Sequence, residues 1–324
     1  MKEVRVEDAI GMVLAHDLTR IVPGECKGRV FKKGHVISEE DIPMLLDIGK
    51  QHIYILDLKP GELHEDDAAL RLSAAIKGDH LSANEPHEGK VTLKSTIRGL
   101  LSIDEEALFH INSIGEIAIV TKKSGIVVDP GTKVAGLRAI PLVIEEEKIV
   151  QAERIAKEVY PLITVKPFAK YRVGVVTTGS EILTGRIEDR FGPRIREKLT
   201  FYGSEVIGQK IVGDQVTDIQ TAIKDFLAEG VDMIICTGGM SVDPDDRTPG
   251  AIRGVATEVV SYGMPVLPGS MMMFAYIDKI PVFGLPGCVI YDDVTSFDLL
   301  LPRVLAGETI TREQIAKMGH GGLL

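Results

Sequence analysis

Hydrophobic positions follow two rhythms along this chain. In its second half, short unbroken apolar runs alternate with segments whose apolar residues recur every three or four positions. Residues 172–177, 231–236 and 280–283 are runs of the first kind, and such continuity predicts strands buried on both faces. Ile219, Ile223, Phe226 and Leu227 keep helical spacing, with Asp214 or Thr217 placed to cap the helix and Gly230 to end it. A second helix is predicted over 289–305, burying Phe297, Leu300, Leu301 and Val304. Strand and helix in alternation imply an α/β fold of three layers, a mostly parallel sheet with helices on both faces.

The first half is less regular. A helix is predicted over 39–48, with Ser38 as N-cap, Ile42, Leu45 and Leu46 on one face and Gly49 past its end. Residues 52–56 read as a strand, after which Lys59-Pro60-Gly61 breaks the chain. Helices over 66–77 and 104–113 and strands near 116–121 and 140–144 follow. The expected organisation is a small α+β region over 1–62, a middle α+β region over 63–168 and the α/β domain over 169–324. The tail around Gly319-His320-Gly321-Gly322 has no periodicity and is expected to be flexible, with a composition that suits folding over a ligand.

Composition narrows the class. At 324 residues the chain can bury more than one core, and its 44% hydrophobic and 26% charged content is ordinary for a soluble protein. No run reaches the ~18 apolar residues of a membrane span, and the start lacks a signal-peptide pattern. A cytoplasmic protein without a membrane partner is expected. Cys26, Cys236 and Cys288 are widely spaced, which suits a reducing compartment and offers no zinc spacing. A net charge of −10 argues against a nucleic-acid partner. An anionic ligand would have to be held locally, by glycine loops, helix N-termini, arginines or Mg²⁺. A small phosphorylated molecule fits that restriction better than a polymer.

The candidate chemistry lies where the strands end. The run 231–236 leads into Thr237-Gly238-Gly239-Met240-Ser241, then Asp243, Asp245, Asp246 and Arg247. A glycine pair at a strand end lets backbone N–H groups approach an anion, and carboxylates beside it can hold Mg²⁺. The bland alternative is a glycine turn followed by a solvated acidic loop. The run 172–177 ends in Thr178-Gly179-Ser180-Glu181, and the run 280–283 ends in Gly284-Leu285-Pro286-Gly287. In open α/β sheets, ligands bind beyond the carboxyl ends of the strands. Elsewhere, the basic stretch 27–35 reads as a solvated β-turn edge or a cofactor-facing loop. His64-Glu65-Asp66-Asp67 reads as an acidic helix start rather than a metal cluster.

These motifs carry a resemblance. Thr177-Thr178-Gly179-Ser180-Glu181, Thr237-Gly238-Gly239-Met240-Ser241-Val242 with Asp246 and Thr248, Pro268-Gly269, and Gly284-Leu285-Pro286-Gly287 occur in an order that resembles the molybdopterin-binding domain family of molybdenum cofactor biosynthesis. The likeness spans roughly 170–306, and residues 6–15 are similar to the N-terminal start of its molybdenumtransferases. It implies a molybdopterin or pterin-phosphate nucleotide ligand, and Mg²⁺ held by Asp246, Glu181 and Asp214, with Asp246 and Glu181 nearest the chemistry. It further implies a cofactor cradle of Thr178, Gly179, Ser180, Gly238, Gly239, Ser241, Arg247, Pro268, Gly269, Ser270, Pro286 and Gly287. Asp214 keeps helix capping as its rival role, and Asp243 and Asp245 keep that of turn stabilisers. The run Met271-Met272-Met273 reads as core or as an apolar wall against a pterin.

Three departures stand out. Ile187-Glu188-Asp189-Arg190 replaces the family's Tyr-Asp-Ser-Asn, Ser270 stands where a lysine is usual, and Cys288 stands where an asparagine is usual. Arg186, Arg190, Arg194 and Arg247 are available to supply positive charge. The implied activity is molybdate insertion with release of AMP, in a homo-oligomer serving a molybdenum-dependent enzyme. A cofactor carrier and a nucleotide pyrophosphatase of the competence-associated type are the alternatives.

Overall fold

The computed structural model describes residues 2–22 and 26–324, with the side chains of 21, 22, 26 and 27 set aside. The expectations for Cys26 and Lys27 therefore fall outside the described side chains. The chain divides into two compact units, Met1–Lys166 and Pro167–Leu324. No helix among the described residues is long and apolar enough to cross a membrane.

The first unit holds two separate apolar clusters. One gathers Val6, Leu14, Ile37, Leu45 and Ile53, with Lys2–Arg5 paired antiparallel to His52–Ile55. The helix expected over 39–48 begins as a 3-10 turn, Glu39–Asp41, and is α-helical over Ile42–Asp47. Asp41 accepts from the backbone N–H of Ser38 and closes a capping box there. Leu45 is fully buried, but Leu46 is exposed, because the short helix presents only one turn to the core. The other cluster lies between helices Glu65–Ile76, Glu105–Ser113 and Glu146–Glu158 and a four-stranded antiparallel sheet. Helices expected at 66–77 and 104–113 are present, the second capped by Asp104. The strand expected near 140–144 is Val143–Glu145, and it leads directly into a helix the periodicity did not mark. Splitting this unit near residue 62, one apolar cluster on each side, is our proposal.

The second unit is the α/β domain. Its strands are β1 (Arg172–Thr178), β2 (Glu205–Val212), β3 (Met233–Thr237), β4 (Glu258–Tyr262), β5 (Met273–Ile277) and β6 (Ile280–Leu285). They lie in the order β2-β1-β3-β6-β5-β4. The pairs β2/β1, β1/β3 and β3/β6 are parallel, and only the edge pairs β6/β5 and β5/β4 are antiparallel. Successive residues point to opposite faces, which sorts the apolar runs into two cores. Val173, Val175, Met233, Ile235, Phe283 and Leu285 meet the helices Phe191–Phe201 (α1) and Ser296–Leu305 (α3). Val176, Ile234, Cys236 and Val282 meet Val216–Ala228 (α2). Three layers result, with the mostly parallel sheet in the middle. Cys236 is so deeply buried that desolvation pushes its thiol up to about 12.

Three local expectations need correction. Neither Asp214 nor Thr217 caps α2: Gln215 holds the N-cap position without a side-chain bond, and Asp214 is engaged elsewhere. The helix expected over 289–305 begins only at Ser296, after a 3-10 turn over Gly287–Ile290. Asp298 restarts it by accepting from the backbone N–H of Thr295 at 2.8 Å and its hydroxyl at 2.9 Å. The Met272 and Met273 side chains are fully buried in opposite cores, as the core reading of that run has it, and leave no apolar wall for a ligand. The tail around 319–322 follows a helix, Arg312–Lys317, and is tied down, with the Gly322 carbonyl accepting from the N–H of Leu267 at 2.7 Å and Leu323 bridging to Leu267.

Two glycines separate packing from propensity. A β-carbon on Gly174 would lie 2.5 Å from Cγ of Phe226, whereas one on Gly250 meets nothing within 4 Å. Gly174→Ala is expected to destabilise by about 1–3 kcal/mol through overpacking. Gly250→Ala, within the helix Thr248–Val255, should be neutral or stabilising by up to ~1 kcal/mol. Denaturant midpoints of the two variants check this.

Candidate functional site

The strand ends form one edge of the sheet. Cross-strand partners run Thr177 to Thr237 to Leu285, Gly284 to Met273, and Met273 to Tyr262. The loops after β1, β2, β3, β4 and β6 consequently leave the sheet on the same side, and they carry the residues singled out in the sequence.

Backbone contact fixes the innermost pair of loops. Gly238 has φ +83°, and a β-carbon there would lie 2.2 Å from the carbonyl oxygen of Thr178. Only glycine lets these two peptides meet so closely. Gly239 follows at φ +54°, and its carbonyl accepts from the N–H of Thr248 at 3.2 Å. The hydroxyls of Thr178 and Thr248, both buried, share a hydrogen bond of 3.1 Å. Thr178, Gly238, Gly239 and Thr248 are thereby one cluster.

The outer residues are held by longer-range polar contacts. The N–H of Ser180 and its hydroxyl both donate to Oδ2 of Asp214, at 3.0 and 2.7 Å. The N–H of Asp243 donates to Oδ2 of Asp246 at 3.0 Å, and the N–H of Asp246 returns to the carbonyl of Asp243. Asp246 therefore organises its own turn. The Tyr262 hydroxyl donates to the carbonyls of Met240 and Ser241, at 3.1 and 3.2 Å, and ties this loop to β4. Ser241, Asp245 and Arg247 are exposed, and so is Glu181, whose carboxylate lies beside Gly179. Asp245 and Arg247 line a cavity of about 330 Å³ together with Asp214, Gln215, Val216 and Thr217. That cavity sits on the N-terminus of α2, which has no side-chain cap. The helix N-terminus and Arg247 favour an anion there, whereas Asp214 and Asp245 oppose one unless a cation is bound between.

The remaining cradle residues lie at the same edge in other contacts. Gly269, at φ +111°, packs against Ser296, whose hydroxyl donates to the Gly269 carbonyl at 2.8 Å while its N–H reaches Pro268. Ser270 is half-buried and accepts through its carbonyl from Met264. Pro286 is buried and Gly287 exposed after β6. The carboxylates Asp246, Glu181 and Asp214 are not a preassembled cage: among the described residues no three His, Cys, Asp or Glu stand together as a metal group. Arg194 pairs with Glu197 at 2.7 Å and Asp293 at 2.9 Å, so it is not a free charge.

A polar chain beneath this edge escaped the sequence reading. Gln209 donates to the Thr177 hydroxyl at 2.9 Å and to Asp189 at 2.6 Å. Asp189 accepts from the N–H groups of Phe191 and Gly192 and so starts α1. A half-buried glutamine beside Lys210 in the edge strand β2 was the signal that could have found it.

An open α/β sheet with glycine loops gathered at its carboxyl edge defines a ligand-binding domain. Within that class, the second unit is similar to the molybdopterin-binding domain family of molybdenum cofactor biosynthesis over most of its length. Residues 174–306 match the profile described as "Probable molybdopterin binding domain", and residues 3–57 match one described as a domain of unknown function. Curated relatives include CinA-like proteins of Mycobacterium sp. strains MCS and JLS, 44% and 43% identical over 77 residues. That stretch is 24% of this chain and only 18% of the relatives' length. Among solved structures, the molybdopterin biosynthesis enzyme MoaB of Thermus thermophilus is 25% identical, covering 43% of this chain and 98% of its own, with a TM-score of 0.37. The Mog protein of Mycobacterium ulcerans is 24% identical, covering 46% and 100%, with the same TM-score.

Replacing Gly238 tests the innermost cluster. Gly238→Ala should lower stability by about 1–3 kcal/mol, because it adds both a strained φ and a collision with the Thr178 carbonyl. Tyr262→Phe should cost only about 0.5–1.5 kcal/mol while speeding amide exchange across 241–247. Thermal unfolding and exchange mass spectrometry read the two effects separately.

Proposed function

We propose that the second unit binds molybdopterin, as its phosphate or its adenylylated form, and takes part in molybdate insertion with release of AMP. The supporting observation is the coincidence of the family match with a cavity at the sheet's carboxyl edge whose Asp214, Asp245 and Arg247 suit a phosphate together with a cation. In this reading Arg247 and the N-terminus of α2 take the phosphate, and the glycines at 238 and 239 bring peptide groups close without a side chain between. Ser241 and Ser270 add hydroxyls, and the Asp189–Gln209–Thr177 chain keeps β1 and α1 in place behind them.

The donor set suits Mg²⁺. Asp246 and Asp214 each use Oδ2 for a backbone N–H, so each has a second oxygen for a hard cation, and Glu181 is exposed. Mg²⁺ commonly takes one or two carboxylates together with phosphate oxygens and water, so a three-residue cage is not required. Bound there, it would supply charge neutralisation on the phosphate. Positioning and charge, rather than a covalent intermediate, are what these residues can contribute.

Two observations sustain rival readings. Ser270 and Cys288, where lysine and asparagine are usual, suit a carrier that binds cofactor without turning it over. The likeness to CinA-like proteins suits a nucleotide pyrophosphatase. Incubation with adenylylated molybdopterin, molybdate and Mg²⁺ separates them. AMP release supports insertion, tight binding without AMP supports the carrier, and absence of any pterin binding sinks both. Arg247→Ala should weaken binding about 10–100-fold, as expected for a hydrogen bond to a charged group. Arg253→Ala, on the exposed end of the same helix, should change it little; equal losses in a calorimetric titration would refute the phosphate assignment.

A further inference from the structure

The first unit contains a buried histidine that no part of the proposed chemistry uses. His64 is 1% exposed and stands three residues after the Lys59-Pro60-Gly61 break, with Gly61 at φ +84°. It lies between two apolar clusters that remain separate, one over residues 4–53 and one over 68–165. Polar contacts join them. Nε2 of His64 donates to the carbonyl of Ala15 at 2.5 Å, and Lys33 Nζ donates to Nδ1 at 2.7 Å. Lys33 also pairs with Asp66 at 3.2 Å, and the Thr19 hydroxyl donates to Glu88 at 2.7 Å.

These partners dictate one protonation state. A carbonyl only accepts, so Nε2 must carry the proton. An ammonium only donates, so Nδ1 must present its lone pair, and it also accepts from the N–H of Asp66 at 3.1 Å. A second proton on Nδ1 would point at two donors. We propose that His64 is a proton-operated latch: neutral, it holds the lobe over residues 2–58 against the lobe over 62–165, and protonated, it lets go of Lys33 so that the lobes part about residues 59–61.

Charged and titratable groups face His64 from both lobes. Lys33 and His16 face His64 from the first lobe, and Asp66 and Asp67 face it from its own helix, while Glu65 turns to Arg138 at 3.2 Å. The carboxylate of Asp66, 3.5 Å from Nδ1, favours a proton there, but burial and then the closer Lys33 charge outweigh it and lower the pKa from 6.5. His16 is lowered too, by burial and then by Lys50. A histidine held neutral by the fold contributes stability that is present above its free value and is lost as pH falls through about 6.5 towards the lowered value.

The test uses the full chain between pH 7.5 and 5.0, free of any ligand, so it stands apart from the pterin assays. X-ray scattering should show the radius growing on acidification, with protection of the Asp66 amide falling about tenfold per unit of pKa difference. His64→Gln keeps an acceptor and a donor but cannot titrate, and its profile should be flat. An unchanged profile in His64→Gln, or a flat one in His16→Gln, would overturn the latch. Should His64→Gln not fold, imidazole NMR of the unaltered protein decides. A His64 midpoint that coincides with the change in radius supports the latch, and one that does not removes it.

Discussion

One backbone contact governs the second unit. The peptide of Gly238 rests against the carbonyl of Thr178, so the ends of two adjacent parallel strands are locked at van der Waals distance. Because β1 and β3 are in register up to Thr177 and Thr237, that lock also sets where each loop leaves the sheet. The buried Thr178–Thr248 hydroxyl pair then carries the position of β1 into the next helix. Any side chain at 238 would separate the strands at the point where the ligand-facing loops begin. The glycine pair is therefore as much a packing requirement of the sheet as an opening for an anion.

The layered fold was legible because buried parallel strands write themselves as unbroken apolar runs. Residues 172–177, 231–236 and 280–283 became β1, β3 and β6, extended at their carboxyl ends by Thr178, by Thr237 and by Gly284-Leu285. What failed was local punctuation. Asp214 looks like a cap because it precedes a helix, yet its carboxylate serves Ser180, a partner 34 positions away that no local spacing reveals. The break before Ser296 was readable in principle, since Thr295 and Asp298 have the spacing of a capping box, but the apolar periodicity continued across it. Among the candidate site residues, shared placement at one sheet edge followed from the sequence, whereas the bond each carboxylate makes did not.

The two units solve the same packing problem differently. In the second, two cores share a central sheet, so apolar contact joins the layers, with the Asp189–Gln209–Thr177 chain and the Thr178–Thr248 pair beside it. In the first, two cores stay apart and the seam is polar, with Lys33, His64, Asp66, Thr19 and Glu88 across it. A polar seam adds little net stability, because each bond replaces one to water, but it penalises every wrong alignment that leaves a buried donor or acceptor unpaired. Orientation there is specified by chemistry rather than by volume.

The deep burial of Cys236 gives the second unit a property of its own. A thiol reacts as its thiolate, and a group pushed up to about 12 at the centre of β3 is almost entirely protonated at neutral pH and out of reach of any reagent. Its neighbours in the sheet, Val176 on β1 and Gly284 on β6, shield it from both sides. The protein thus carries an internal stopwatch. Once the half-buried Cys288 after β6 is replaced, the rate at which a thiol probe finds residue 236 reports how often the central strands part.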